Sequence, residues 1–133
     1  MPMMDALGIA GTALTVHRKW LDAVSDNLAN VNTVRSTDET AFQARYITAQ
    51  ADMRGEGGVY VAGTEWGDAE GRIVHEPNHP LADEDGYVRY PDIDLSEQMG
   101  SLIMAQRGYQ MNAAVIDRAR ETYQAALQIG SQQ

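Results

Sequence analysis

Residues 94–127 read DLSEQMGSLIMAQRGYQMNAAVIDRARETYQAAL, and in this stretch Leu95, Leu102, Tyr109, Ile116 and Tyr123 recur every seven residues. Three positions after each come Gln98, Ala105, Asn112, Ala119 and Ala126. That is the a/d spacing of a helix that buries one narrow stripe on another helix. Asp94 and Glu97 stand three apart at its start, the spacing of a capping box, in which each side chain takes the other's backbone N–H. The spacing predicts a helix of roughly 54 Å at 1.5 Å per residue. Its seam alternates large side chains with alanines, which suits close approach of a partner.

The other end of the chain carries a matching stripe. Leu7, Leu14, Leu21 and Leu28 recur every seven residues, followed three on by Ala10, His17, Val24 and Val31. This predicts a second helix over Met4 to Val31, about 40 Å long, with Asp5 as its N-cap. Gly8 and Gly11 each weaken that helix by about 1 kcal/mol relative to Ala. They mark a frayed start or a place where another helix comes close. The helix ends at Asn30-Val31-Asn32-Thr33, because Asn side chains compete for nearby backbone groups.

Between the two helices the pattern changes. Apolar and polar residues alternate over Phe42–Tyr46. Gly55, Gly57 and Gly58 precede Val59–Ala62, Gly67 and Gly71 precede Arg72–His75, and Asp85-Gly86 precedes Tyr87–Tyr90. Pro77 and Pro80 forbid a helix there. Three to five short strands are expected. The fold class is therefore α+β: long N- and C-terminal helices paired as an antiparallel coiled coil, with a small β-rich insert. The expected divisions are 1–34 for the first helix, 35–91 for the insert and 92–133 for the second helix. Two helices alone leave apolar surface outside, so further copies or related chains are expected to cover it.

Charge limits the partners. The formal net charge is -9. Residues 52–94 hold eleven acidic and three basic groups, while both ends are close to neutral. A nucleic-acid binder needs clustered Lys and Arg, and an anionic membrane surface attracts the same groups. Neither suits this chain. Near-neutral ends suit a packed interior, and an acidic middle suits a solvated exterior. No apolar run approaches the roughly 18–20 residues of a membrane span. Residues 1–14 lack the basic and apolar regions of a secretory signal peptide. With no cysteine there is no disulfide and no thiolate metal site.

Two segments carry a resemblance. Ser25-Asp26-Asn27-Leu28-Ala29-Asn30-Val31-Asn32-Thr33 resembles the N-terminal signature S-x-N-(I/L)-A-N-x-x-T of the flagellar axial proteins that build rod and hook. Pro80–Val88, Tyr90–Asp94 and Met104–Asn112 are similar to the approach and C-terminal helix of the proximal-rod members, with the pattern R-x-Y-x-(A)-N at Arg107, Tyr109 and Asn112. Met111 stands where that family usually has Ala, and Asp26 and Gly108 fall on its variable positions. The resemblance implies a structural subunit of the flagellar basal-body proximal rod, a drive shaft that carries motor torque. It implies terminal helices that form the inner tube of the rod and an insert lying outside it. It implies export by the flagellar type III apparatus without cleavage of a signal peptide, and residence in the basal body within the cell envelope. The expected partners are other copies, related rod subunits and the export apparatus, with membrane-ring and hook-junction proteins as further candidates.

The candidate assembly residues are Ser25, Asn27, Leu28, Ala29, Asn30, Thr33, Arg107, Tyr109 and Asn112. Asn112 falls on the seam, where a buried Asn fixes register at a cost in stability. Arg107 and Tyr109 are of the types enriched at interface hot spots. Asn27 and Asn30 are placed to hydrogen-bond backbone at the helix exit, in this chain or in a neighbour.

Other chemistry is excluded on spacing. His75 and His79 are four apart, but Pro77 lies between them, so they do not form a helical metal pair. Asp83-Glu84-Asp85-Gly86 looks like part of a calcium loop. Aligned on Gly86, that loop would need ligands at Leu81 and Asp92, where the pattern wants an acid and usually Glu. A turn into a strand is the better account. No phosphate loop and no nucleophile triad has its motif context. No catalytic residue, metal, cofactor or small-molecule substrate is expected. The rival reading is an intracellular coiled-coil adaptor, which accounts for the heptads and not for the signature around Asn27.

Overall fold

Helix α1 spans Pro2–Ala29 in the computed structural model, which describes residues 2–132 of the chain. It starts earlier than the Asp5 cap implied. Proline lacks only an N–H that the first helical turn leaves unpaired anyway, so Pro2 can head the helix and Asp5 sits in its first turn. The far end stops at Ala29, two residues short of Val31. There the Asn30 side chain donates to the Asp26 carbonyl at 2.8 Å, and the Thr33 N–H turns back to the Asn30 carbonyl at 3.1 Å.

Helix α2 spans Leu95–Ser131, 37 residues against 28 in α1. Asp94 is its N-cap, its carboxylate accepting from the N–H groups of Ser96 (2.9 Å) and Glu97 (3.2 Å). The two helices run antiparallel. Near one end Asn27 meets Gln98, and further along His17 meets Gly108.

The insert holds four strands in two separate antiparallel pairs. Strands β1 (Arg45–Ala51) and β2 (Val59–Trp66) pair with a bulge at Thr48/Ala49. Gly57 and Gly58, both at positive φ, sit in the connection between them. Strands β3 (Arg72–His75) and β4 (Tyr87–Tyr90) pair in simple register, and Arg35 adds a bridge to Arg89. The alternation at Phe42–Tyr46 contributes only its last two residues to β1. The residues before it bond sideways instead. The Ala41 N–H donates to the Ala69 carbonyl, and the Gln43 side chain donates to the Gly67 carbonyl, each at 2.8 Å. Gly71 must be glycine. Its φ is +62°, and a Cβ there would collide with the Tyr90 carbonyl and with Ala41.

Helix α1 is the spine of the molecule. It packs on α2 along one side and on β1 and β2 along another, whereas α2 touches α1 alone among the described elements. Burial follows from that. Helix α1 buries Ala10, Val16, Ala23, Val24 and Asn27; α2, although longer, buries only Gln98 and Ala105. The flanks of α2 stay wet. Leu95, Met99 and Ile103 are exposed along one side, Met104, Met111 and Val115 along another, and every residue from 121 to 132 is exposed. No described helix is long and apolar enough to cross a membrane.

Candidate functional site

Asn27 sits two residues before the end of α1, and that position turns its amide toward both the insert and α2. The side chain is fully buried. Its Oδ1 accepts from the Arg45 N–H at 2.8 Å, and its Nδ2 donates to the Arg45 carbonyl at 2.9 Å. A primary amide has one acceptor and one donor side by side, so it can pair with one residue's backbone as a neighbouring strand would. The same Nδ2 also donates to Gln98 Oε1 at 3.1 Å. One side chain thus joins α1, the first residue of β1 and the first turn of α2.

The rest of the N-terminal motif surrounds this clasp. Asn30 Oδ1 accepts from the Thr33 hydroxyl at 3.0 Å, which shapes the exit from α1. Leu28 is half-buried, while Ser25 and Ala29 are exposed. Asp26, on a position the motif leaves variable, forms an ion pair with Arg45. Asp26 is exposed and Arg45 only half-buried, so water screens the pair and it contributes little beside the Asn27 bonds. The Tyr46 hydroxyl, next along β1, is held above its usual pKa by burial and then by the charges of Glu97 and Asp92.

The C-terminal candidates are arranged differently from the expectation. Asn112 is half-buried and donates to the Gly108 carbonyl of its own helix at 2.8 Å, so it makes no cross-helix polar contact. The buried polar bond across the pair is Asn27–Gln98 instead. Arg107 and Tyr109 are two residues apart on one helix and therefore point to different faces, so they cannot form one anchor pair. Both are exposed; Tyr109 closes a shallow cleft with Gly11, Leu14, Thr15 and Arg18.

The seam is also shifted. In α1, Leu7, Leu14, Leu21 and Leu28 are all half-buried beside buried Ala10 and Val24. In α2, Leu102 and Ile116 are half-buried, but Leu95, Tyr109 and Tyr123 are exposed. The line against α1 runs through Gln98, Ala105, Gly108 and Asn112, because small residues let the helix axes approach. Gly108 shows the reason most clearly. A Cβ there would run into the His17 imidazole, whose Nδ1 must carry a proton to bond the Ala13 carbonyl at 2.7 Å. Gly8 and Gly11, the positions that suggested close approach from sequence, face open space.

Gln98 and Gly108 were missed as organising positions. A glycine and a glutamine in a helical run carry no signal of their own. Gln98 does fall on the d position of the first heptad, and a polar residue there was the available hint.

The two histidines of the insert stand apart in role. His75 stacks at a tilt on Tyr87, with ring centroids 4.9 Å apart, and His79 Nδ1 accepts from the Leu81 N–H at 3.0 Å. Among the described residues no three His, Asp or Glu side chains are grouped to hold a metal. The Asp83 carboxylate is occupied by the N–H groups of Tyr87 (2.9 Å) and Asp85 (3.0 Å) and by the Thr37 hydroxyl (3.0 Å). The N–H of Tyr87 is the main reason that its pKa lies below the ordinary 3.8.

A clasped helix pair with an exposed second helix is a part shaped for assembly, and comparison with known proteins agrees. Residues 7–35 match the family described as flagella basal body rod protein, and residues 84–129 match the C-terminal family of the flagellar basal body rod FlgEFG proteins. The chain is 33% identical to the flagellar basal-body rod protein FlgC of Salmonella typhimurium, covering 98% of this chain and 99% of the relative. It is 34% identical to FlgC of Yersinia enterocolitica and 28% identical to FlgC of Bacillus subtilis, with 98% of this chain covered in each case. Both termini and almost the whole length are shared, so the chain belongs to the FlgC family of flagellar basal-body rod proteins.

Proposed function

We propose that this chain, a structural subunit of the flagellar basal-body rod, packs its two terminal helices with those of neighbouring subunits into a tube that carries torque. The observation that carries this reading is the state of α2. It has apolar side chains on several faces and only two buried residues over 37. A helix apolar on most sides is stable only when covered on most sides, and α1 covers one. Contacts between unlike faces that do not close on themselves build an open helical assembly.

In this reading residues 1–34 and 92–133 form the load-bearing core, and 35–91 project from it. Asn27, Asn30 and Thr33 set the angle at which the insert leaves the core, Asn112 lines the contact of α2 with α1, and the exposed Ser25, Ala29, Arg107 and Tyr109 lie where neighbours pack. Partners are other copies and related rod subunits, with the membrane ring and the hook junction at the ends. The route out of the cytoplasm is the flagellar export apparatus, with no segment removed.

The test begins with basal bodies isolated from the source organism. The chain should co-purify with the rod at its full mass, its N-terminal residues intact, and deleting its gene should remove rod and hook together. Flagella that persist after deletion, with the chain found only in the cytoplasm, would remove this reading in favour of an intracellular adaptor.

A further inference from the structure

All the sulfur in this chain is thioether: seven methionines and no cysteine. Among the described residues the most exposed methionines are Met53 (89%), Met111 (69%) and Met104 (62%). They differ in setting. Met53 lies in the connection between β1 and β2, within the acidic insert. Met104 and Met111 lie on α2, seven residues apart and so on one face. Between them in sequence is Gly108, where α2 presses on His17. Arg107 is three residues after Met104 and four before Met111, spacings that bring side chains together on a helix surface. It is exposed and in no ion pair among the described residues.

We propose that Met104, Arg107 and Met111 form an oxidation-sensitive site that decides whether a subunit is built into the rod. The oxidant is a hydroperoxide. The thioether sulfur attacks one peroxide oxygen, an S–O bond forms as the O–O bond breaks, the sulfur gives up two electrons, and hydrogen peroxide leaves as water. The product sulfoxide is polar where the thioether was apolar. Its oxygen accepts hydrogen bonds, and Arg107 is placed to donate to it from either methionine. An apolar row becomes a polar one, and the guanidinium at its centre is engaged within its own helix. A neighbour packing here would bury polar groups that it does not pair. The change is reversible. A methionine sulfoxide reductase supplies two electrons and two protons, and the oxygen leaves as water. With no cysteine, the chain has no dithiol of its own for that step. This rests on the rod reading above and adds a chemical gate to it. Met53 is open to the same oxidant but stands in the insert, so it measures exposure to oxidant without touching the gate.

The test separates oxidation from assembly in time. Cells lacking methionine sulfoxide reductase are made to stock the chain, given a brief hydrogen peroxide pulse and quenched. The remaining flagellar genes are induced only then. Sulfoxide at each site is measured by peptide mass spectrometry in the unassembled chain and in isolated basal bodies. At Met53 the two pools should agree. At Met104 and Met111 the basal bodies should be depleted about tenfold per site, the factor that about 1.4 kcal/mol gives. Met104→Gln/Met111→Gln, which carries the polarity permanently, should be lost from basal bodies, whereas Met104→Leu/Met111→Leu should enter them equally with and without peroxide. Both residues are exposed, so the isolated variants should keep the helicity of the parent chain by circular dichroism. Equal sulfoxide fractions in the two pools at all three methionines would overturn the proposal. So would unoxidised Met104 and Met111 in an unassembled pool whose Met53 is oxidised; the rod reading survives both results. Absence of the untreated parent chain from basal bodies would overturn both readings.

Discussion

At the scale of single residues, one buried amide does most of the joining. Replacing Asn27 with Ala removes two bonds to the Arg45 backbone and one to Gln98, leaving groups at the centre of the clasp unpaired. The expected loss is about 2–3 kcal/mol, read as a lower denaturation midpoint together with faster exchange of the Arg45 amide. Gly108→Ala tests the opposite effect. Alanine favours a helix by up to about 1 kcal/mol over glycine, yet its Cβ would meet the His17 ring. Overpacking of that kind costs about 1–3 kcal/mol, so net destabilisation is expected. Combining it with His17→Ala should recover most of the loss, because the two changes share one contact. The Asp83 turn gives a pH dependence. Its carboxyl group has a lower pKa folded than unfolded, so its contribution is complete above the ordinary value of 3.8 and is lost as pH falls below that value. The amide of Tyr87, which donates to that carboxylate, should keep its chemical shift down to about pH 4 and move only below it.

At the scale of elements, the two helices differ in how well they are held, and exchange should show it. Helix α1 lies between α2 and the β1–β2 pair, whereas residues 121–132 of α2 are exposed throughout. In the isolated chain, amides of 121–131 should exchange fastest among helical residues, those around Gln98 and Ala105 slowest, and assembly should protect the tail. Equal protection along all of α2 in the isolated chain would contradict this. The same contrast explains what could be read in advance. Both helices, the Asp94 cap and the strands at Arg72–His75 and Tyr87–Tyr90 were legible, because each depends on local spacing and turn residues. The displaced start of β1 was not, because a strand edge is decided by distant partners, here Gly67 and Ala69, which bond Gln43 and Ala41 sideways; the start of α1 at Pro2 was missed because Asp5 has the chemistry of a cap and stands instead in the first turn. The seam of α2 was misplaced for a related reason. Heptads identify apolar positions, and in a chain made for assembly most of these await another subunit, while the internal contact falls to Ala105 and Gly108. Asn27 was legible as a helix-exit residue, but its partner Arg45 lies 18 residues away and had no signal.

At the scale of the whole molecule, the acidic groups lie mostly in the insert and the unpaired apolar stripes lie mostly on α2, so solvent and neighbours are directed to different parts. The isolated chain should therefore be soluble and only marginally stable, and its transition midpoint should rise with concentration as copies associate. A midpoint independent of concentration over a wide range would count against self-association. The clasp has one more consequence. Asn27 and Gln98 meet 71 residues apart in sequence, so the chain leaves and re-enters the helix pair at nearly the same place. Everything between is a closed excursion, and lengthening such a loop costs only about 0.6 kcal/mol for each doubling. Insertions near Asn78, at the exposed turn between β3 and β4, should leave the paired helices undisturbed. That gives evolution a segment whose size can drift freely, and gives the experimenter a site for a tag.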